Sequence, residues 1–325
     1  MKTRFLVLAF LLPVAVAFAD PVSEMAGFSV FGKVDLNELA HGEIKTAATP
    51  MNTPRDLAVQ SCFIVPKSPA QVVQAMKQFN PTAHRELKVF LHSDLPASAS
   101  IANFSKLKNP PNNSAVAALR SATEKMSAQL QLNNAEAQKL SAGASVWDFW
   151  SDLLAKRAQS FARGGAAAQP AYNHSGASIQ PAHEFASLVR QEGQVVHQFG
   201  GFLSATGLIG GRGSLRPDLY WELLQVEDDG VLTLGASYTR SASGGGYQAA
   251  DGLYYASGGY YVALTLYQLW PVNIGGHTST LVWRGDFTSA ASLGDLHGIE
   301  RLASEGAMKK DISKAVAIFK ESAGR

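Results

Sequence analysis

Cysteine is almost absent from this sequence: Cys62 is the single one among 325 residues. One cysteine excludes an intramolecular disulfide, so the hydrophobic core has to hold the fold together. Apolar residues make up 46% of the chain, which is enough to bury a core, and the length of the chain suits one large domain or two small ones. Cys62 itself lies within an apolar strand pattern, which predicts a small buried side chain rather than a reactive thiol.

An excess of one charge sign is also missing. The chain has 28 basic and 26 acidic residues, and Lys2 and Arg4 near its start account for the difference. A neutral surface offers no electrostatic footprint for nucleic acid or for anionic membranes. We therefore expect no nucleic-acid partner.

No stretch carries a specific catalytic, metal-binding or nucleotide-binding signature. The GxSxG elbow, the HExxH pair and the Walker-type loop are all absent from the sequence. The glycine-rich stretch GLIGGRGS, residues 207–214, lacks the lysine and the strand-to-helix setting of a phosphate-binding loop. We predict no metal and no cofactor, and we expect a protein that is not an enzyme, with enzymatic activity left open.

Long hydrophobic runs are absent except near the N-terminus, where residues 5–16 follow two basic residues. This run is too short to span a membrane, contains Pro13, and is followed by an A-x-A cleavage site that ends at Ala19. Residues 1–19 are therefore predicted to be a signal peptide. The prediction makes the protein exported, periplasmic or secreted, with no integral membrane span after cleavage.

A strand followed by a helix opens the predicted domain. Residues 56–65, DLAVQSCFIV, are apolar on both strand faces, which predicts a strand covered on both sides. Ser68 then has the position of a helix N-cap and Pro69 that of the first helical residue. A short strand is predicted at 87–91. The preceding segment, residues 20–54, is predicted to be irregular apart from a short strand near 42–46.

Residues 101–215 have a different character and predict a helical insertion. Helices are expected at about 115–130, 145–163 and 181–199, with a mobile Gly/Ala/Ser/Pro-rich connector at 164–180. The stretch WDFW places Trp147 and Trp150 one turn apart on one helix face. This spacing is typical of core packing, and a lid or membrane-interface surface is the alternative.

Five strands and a closing helix are predicted after the insertion. The strands are expected at about 219–226, 231–240, 247–256, 260–270 and 278–288, with hairpin turns at Asp229-Gly230 and at Ser257-Gly258-Gly259. The alternation of the fourth of these strands puts Tyr260 on the same face as Val262 and Trp270. A helical region follows from 293 to 319, with Gly306 as a break.

This order of elements resembles the START-like helix-grip superfamily, also called SRPBCC. The stretches that suggest it are FIVPKSPAQVVQAM, the strand pair GYYVALTLYQLWPV and TLVWRGDFTSA, and the closing LHGIERLASEGAMKKDISKAVAIFKES. The resemblance implies an α+β domain over 55–325, in which a curved antiparallel sheet grips a long C-terminal helix around an apolar cavity. The insertion at 101–215 would fall between the second and third strands of the seven so predicted.

Aromatic density on the strands suggests what such a cavity would hold. Tyr and Trp combine a large apolar body with a polar tip, which suits an amphipathic ligand, although the same rings can simply pack a core. We predict a binder or carrier of an apolar or amphipathic small molecule such as a lipid. The predicted ligand-binding residues are Trp221, Tyr255, Tyr260, Tyr267, Trp270 and Trp283 on the wall and Met308, Ile312, Val316 and Phe319 on the gripping helix.

Two other classes of function stay open. An enzyme acting on a hydrophobic substrate would need a buried acid or base, and His92, Asp94 and His297 are its candidates. A scaffold would have a filled core and would use the WDFW helix or the 164–180 connector to engage an envelope protein. Arg212, Arg216 and Arg240 could contact an anionic head group, although solvated arginines are the ordinary case.

Overall fold

The structure is a computed structural model that describes residues 20–141, 145–296 and 298–324. The predicted signal peptide and His297 lie outside the described residues. One antiparallel sheet of eight strands forms the centre of the described chain. Its strands are β1 (Lys45–Thr49), β2 (Asp56–Val65), β3 (Val89–Leu95), β4 (Asp218–Val226), β5 (Asp229–Ser241), β6 (Tyr247–Ala256), β7 (Val262–Ile274) and β8 (His277–Ser289).

Helices precede the sheet, interrupt it between β3 and β4, and close the chain. Short 3-10 segments occur as well, among them Ile101–Lys108 and Ala291–Leu293. The α-helices are α1 (Pro21–Phe28), α2 (Leu36–Ala40), α3 (Pro69–Gln78), α4 (Ser114–Glu124), α5 (Asn134–Ser141), α6 (Val146–Gly164), α7 (Pro181–Arg190), α8 (Gly193–Leu203) and α9 (Gly298–Gly324).

The strand order in the sheet is β1-β2-β8-β7-β6-β5-β4-β3, and every neighbouring pair is antiparallel. The first and last parts of the chain therefore meet near one edge of the sheet, where β2 pairs with β8. Together with the long C-terminal helix α9 and the helical insertion, this confirms the predicted α+β fold class with its curved antiparallel sheet.

Both faces of the sheet are covered, as the pattern of β2 predicts, and all ten β2 residues are buried. Val59 and Phe63 pack with α3 and α9, whereas Ala58 and Ile64 pack into the larger core on the other side. We call these sides the α9 face and the insertion face. On the α9 face, helix α3 begins at Ser68 and Pro69 as predicted, and the Gln71 side chain accepts a hydrogen bond from the Ser68 backbone N–H at 3.0 Å.

The insertion face carries most of the core. Helices α1, α4, α6, α7 and α8 bury their apolar sides against the strands there, and Trp150 is fully buried with its indole N–H donating to Thr123 Oγ1 at 3.0 Å. The core interpretation of the WDFW helix is therefore confirmed for Trp150. The 164–180 connector is also fixed to this block: Ala166 N–H donates to the Gly207 carbonyl oxygen and Ala167 N–H to that of Gly210.

The hairpin between β4 and β5 forms, but its turn is not at Asp229-Gly230. Val226 pairs with Asp229, so the turn consists of Glu227 and Asp228, with Glu227 in the left-handed region at φ 52°. Gly230 lies inside β5, where a Cβ atom would be 2.7 Å from the backbone oxygen of Ala115. Glycine is needed there because helix α4 packs directly on the strand.

Three expectations about helices are corrected. The segment 20–54, predicted as irregular, forms α1, α2 and β1, and its helices bury Met25 and Leu39 in the insertion-face core. The single helix expected at 181–199 is two helices, α7 and α8. The break expected at Gly306 does not occur, because α9 runs through it without interruption.

Cys62 lies in β2 on the insertion face and is fully buried. Burial raises the pKa of its thiol to about 12. Since the thiolate is the reactive form, this side chain acts as a small hydrophobe. The prediction of a buried, unreactive cysteine is confirmed.

Candidate functional site

The ten predicted ligand-binding residues do not line one cavity, because the structure divides them between the two faces of the sheet. Trp221, Tyr255, Trp270 and Trp283 belong to the insertion-face core. Tyr260, Tyr267, Met308, Ile312, Val316 and Phe319 lie on the α9 face. Only the second set is close to the gripping helix.

Tyr260 reaches the α9 face because it lies just outside the strand. β7 begins at Val262, and Tyr260 follows Gly259, whose φ is 79°. The alternation of faces holds only within a strand, so Tyr260 faces α9 while Val262 faces the insertion. The prediction that both residues share a face is wrong for this reason.

The three predicted ligand tryptophans on the insertion face, Trp221, Trp270 and Trp283, are core residues, and two of them have satisfied indoles. Trp283 Nε1 donates to Gln60 Oε1 at 3.0 Å, and Trp221 Nε1 donates to the Asn103 carbonyl oxygen at 3.2 Å. Both rings are fully buried. Their role in this structure is to pack the sheet against the insertion.

A cleft of about 1160 Å³ opens beside α9, at the end of the sheet that carries the β4–β5 and β6–β7 turns. It runs from the first half of α9 past these turns to the insertion. Tyr260, Met308 and Ile312 are the predicted ligand residues that line it. Its apolar wall is formed by Leu57, Leu119, Leu224, Val226, Leu293, Met308 and Ile312.

Several polar groups also line this cleft. No described residue hydrogen-bonds to the Tyr260 hydroxyl, and the buried Gln131 Oε1 has no hydrogen-bond partner. Arg284 reaches the cleft as well, but Asp286 holds its guanidinium through two hydrogen bonds of 2.7 and 2.6 Å. The cleft therefore combines a large apolar wall with a few unpaired polar atoms, which is the composition of a site for an amphipathic molecule.

Next to the cleft, on the α9 face, lies a group that we call the carboxylate cluster: His92, Tyr220, Glu222 and Asp251. The Tyr220 hydroxyl donates to Asp251 Oδ1 at 2.6 Å, across the intervening strand β5. This reach is possible because β5 has Gly235 there, where a Cβ atom would lie 2.1 Å from the Tyr220 ring. His92 Nδ1 lies 3.0 Å from Glu222 Oε1.

The electrostatics of this cluster are set by burial. Burial raises the pKa of the Asp251 carboxyl to about 7, against the lowering effect of the Tyr220 hydrogen bond. Burial, followed by the charge of Glu222, raises the pKa of Tyr260 above its ordinary value. The cluster and the lining residue Tyr260 are thus electrostatic neighbours, and Asp251 changes its charge near neutral pH.

Asp251 should make the stability of the protein depend on pH. An unfolded aspartate titrates at about 3.9, so between this value and about 7 the folded state holds a proton that the unfolded state has released. Stability therefore falls as the pH rises through this window. The Asp251→Asn variant keeps an oxygen that can accept the hydrogen bond from Tyr220. Between about pH 5 and about pH 8 it should lose about 1–3 kcal/mol less unfolding free energy than the wild type. Urea unfolding at both pH values measures this difference.

Glu192→Gln is the matched control for this measurement. Burial also raises the pKa of Glu192 to about 7, but Glu192 lies at the start of α8, away from the carboxylate cluster. Each substitution should remove its own share of the pH dependence, and the two shares should add. A pH profile of Asp251→Asn identical to that of the wild type would contradict the assignment.

Two of the candidates proposed for an enzyme, His92 and Asp94, lie close together but differ in their surroundings. His92 is partly buried beside Glu222, whereas the Asp94 side chain is 97% exposed and its Oδ1 lies 3.8 Å from His92 Nε2. His297 is outside the described residues. The sequence reasoning missed Tyr220, Glu222 and Asp251, although a lone aspartate within the apolar strand YQAADGLYYA was a usable signal.

Over residues 20–141, 145–296 and 298–324, no helix is long and apolar enough to cross a membrane. Within the same ranges, no three His, Cys, Asp or Glu side chains are grouped as ligands of a metal ion.

Comparison with models of known protein families gives no match, and comparison with curated proteins gives no relative. The fold and the cleft alone therefore define the class: an α+β protein with an eight-stranded antiparallel sheet and an amphipathic cleft beside its C-terminal helix. The resemblance to the START-like superfamily stays a prediction.

Proposed function

We propose that this protein is a non-enzymatic binder or carrier of an apolar or amphipathic small molecule, such as a lipid, and that the cleft beside α9 is the binding site. The observation that carries the proposal is the cleft of about 1160 Å³ with its apolar wall. Ligand sites for small molecules typically have volumes of about 300–1,000 Å³, so this cleft has room for a ligand with a long apolar chain.

Burial of the apolar part of the ligand would supply the driving force. Met308 and Ile312 on α9 face the cleft together with Leu57 of β2. Removing apolar ligand surface from water is worth about 25 cal/mol per Å², from which the cost of immobilising the ligand is subtracted. At about 0.8 kcal/mol per buried CH₂, a chain of about ten carbons would contribute about 8 kcal/mol before this cost.

The polar end of the ligand would bind to the unpaired groups of the cleft. The Tyr260 hydroxyl is free to donate and the Gln131 Oε1 is free to accept. Charged residues of both signs also line the cleft: Lys88, Arg284 and Lys314, and Glu86, Glu227, Asp229, Asp295 and Asp311. Tyr260 and Lys314 are the donors that would contact an anionic or hydroxyl-bearing head group.

The direct test is native mass spectrometry of the purified protein, followed by organic extraction. A stoichiometric lipid or hydrophobic metabolite that co-purifies with the protein would support the proposal and identify the ligand class. A ligand-free mass, together with no uptake of the hydrophobic probe N-phenylnaphthylamine, would refute it and favour the scaffold function.

Substitutions in the cleft should separate the polar and apolar contributions to ligand affinity. Tyr260→Phe removes one hydrogen-bond donor and should weaken dodecanoate binding by about three- to tenfold, because such a bond is worth about 0.5–1.5 kcal/mol. The same variant should bind N-phenylnaphthylamine, which has no acidic head group, as the wild type does. Met308→Trp fills part of the apolar wall and should weaken both probes, measured by fluorescence titration and displacement.

Tyr247→Phe is the matched control, since Tyr247 packs on the α9 face but does not line the cleft. It should leave both affinities within experimental error of the wild type. Equal dodecanoate affinity in wild type, Tyr260→Phe and Met308→Trp would place the binding site elsewhere.

A second candidate function, acid–base catalysis on a hydrophobic substrate, has one observation in its favour. Asp251 and Tyr220 share a short hydrogen bond beside the cleft, and Asp251 can exchange a proton near neutral pH. Chemical conversion of an extracted ligand by the wild type, lost in Asp251→Asn, would favour this alternative. An unchanged ligand after prolonged incubation would favour the carrier.

A further inference from the structure

A second, smaller pocket of about 300 Å³ lies on the opposite face of the sheet. It is enclosed by α1, α8, the end of β5 and the central strands β6 and β7. The side chains that matter for its chemistry are Glu24, Gln198, Arg240, Gln248, Gln268 and Trp270. It does not share any residue with the cleft beside α9.

Three glutamines from three different elements form the floor of this pocket. Gln248 Nε2 donates to Gln268 Oε1 at 2.8 Å, and Gln198 Nε2 donates to the same oxygen at 3.3 Å. Gln248 and Gln268 are only 4% and 2% exposed. Buried amides cost free energy unless they are hydrogen-bonded, so this relay holds the polar groups in defined orientations.

Arg240 forms the positive side of the pocket. Its Nε and Nη2 donate to Gln248 Oε1 at 3.0 and 2.7 Å, and its guanidinium lies 4.9 Å from the centre of the Phe202 ring. No carboxylate of the described residues forms an ion pair with it. A guanidinium has five N–H donors, so most of them are unused.

Glu24 forms the negative side. Its Oε1 accepts one hydrogen bond of 2.8 Å from Gln198 Nε2, and no described cation pairs with it. Glu24 and Arg240 line the same pocket, yet they do not form an ion pair with each other. The pocket thus keeps two opposite charges apart, each with bonding capacity to spare.

Trp270 adds a third unsatisfied group. Its ring lines the pocket and is 4% exposed, and its indole Nε1 has no hydrogen-bond partner. A buried indole N–H usually finds an acceptor, in contrast to this one. Trp150, Trp221 and Trp283 on the same face each have one.

We propose that this pocket binds a small zwitterion, a molecule of amino-acid size that carries a carboxylate and an ammonium group. Arg240 would bind the carboxylate through its free N–H groups, and Glu24 would bind the ammonium. The amide relay and the Trp270 indole would contact a neutral polar side chain. The small volume and the polar lining select against long apolar molecules, so this ligand differs in chemistry from that of the cleft.

The test is isothermal titration of the purified protein with the neutral polar amino acids serine, threonine, asparagine and glutamine. At least one should bind. For glutamine, the matched analogues are glutaramate, which lacks the amine, and γ-aminobutyramide, which lacks the carboxylate. Each should bind about tenfold or more weakly than glutamine, because each loses one charge-assisted contact. No binding by any of the four amino acids would overturn the proposal.

Variants assign the two charged ends. The Arg240→Gln variant should bind glutamine and γ-aminobutyramide with equal affinity, because it no longer recognises the carboxylate. The Glu24→Gln variant should likewise bind glutamine and glutaramate with equal affinity. Arg240→Lys should retain part of the wild-type affinity for glutamine. Arg216→Gln removes an exposed arginine outside the pocket and should bind as the wild type does. Circular dichroism and melting curves confirm that each variant is folded. Wild-type affinity in folded Arg240→Gln and Glu24→Gln would rule out this pocket as the site.

Discussion

Trp283→Ala is expected to lower the free energy of unfolding by about 3–5 kcal/mol, the range for removing a buried aromatic side chain. Trp283 is fully buried on the insertion face, with its ring centre 4.9 Å from that of Phe28 and 5.4 Å from that of Phe199. The substitution removes these contacts, opens a cavity, and deprives Gln60 of one of its donors. Urea unfolding followed by circular dichroism measures the loss.

Control variants test whether Trp283 stabilises the insertion-face core or lines the cleft beside α9. Trp147→Ala, a partly buried tryptophan on α6, is the matched control and should cost about 1–2 kcal/mol. Trp283→Phe keeps most of the packing and should leave dodecanoate binding unchanged, because the cleft lies beside α9. A Trp283→Ala cost below that of Trp147→Ala, or lost dodecanoate binding in folded Trp283→Phe, would contradict this placement.

Arg157→Ala is expected to cost a similar amount, about 3–5 kcal/mol, because it leaves a largely buried carboxylate without its partner. Arg157 on α6 is 1% exposed, and it donates to both oxygens of Glu136, at 2.9 and 2.6 Å. Its guanidinium also lies 4.4 Å from the centre of the Tyr255 ring on β6. This single cation therefore joins two helices of the insertion to the sheet.

A double substitution distinguishes a lost ion pair from lost packing. Arg157→Met with Glu136→Leu removes both charges and should recover most of the stability that Arg157→Ala loses. Arg163→Ala, at an exposed position of the same helix, should change stability by less than about 0.5 kcal/mol. If the double variant is no more stable than Arg157→Ala, the uncompensated charge is not the cause of the loss.

The elements of the fold could largely be predicted because their signals are local. Ser68 and Pro69 mark the start of α3, and the two apolar faces of 56–65 indicate a covered central strand. The five strands after the insertion and the closing helix follow from alternation and helical spacing. Each of these signals lies within about ten residues, and none depends on what the element packs against.

The sequence-based predictions were wrong for residues whose role depends on a contact with a distant part of the chain. The Asp229-Gly230 pair is typical of a hairpin turn, but glycine is needed at position 230 because the backbone of Ala115 on α4 packs against it. Tyr255 has the appearance of a pocket-wall aromatic, but it packs against the Arg157 guanidinium from the insertion. In both cases the deciding contact comes from about one hundred residues away along the chain.

The sequence by itself determined the class of fold, the order of the strands from β2 to β8 with the closing helix, and the buried state of Cys62, because alternation, spacing and end signals act over short distances. Only the tertiary structure decided which face each aromatic residue occupies and which polar groups meet. Strands distant in sequence bring Tyr220 to Asp251, and α1, α8 and β5 bring Glu24, Gln198 and Arg240 to one pocket. Packing between separate elements determines which residues form the carboxylate cluster and the smaller pocket. The periodicity of a single strand or helix cannot predict this, because it contains no information about the element that packs against it.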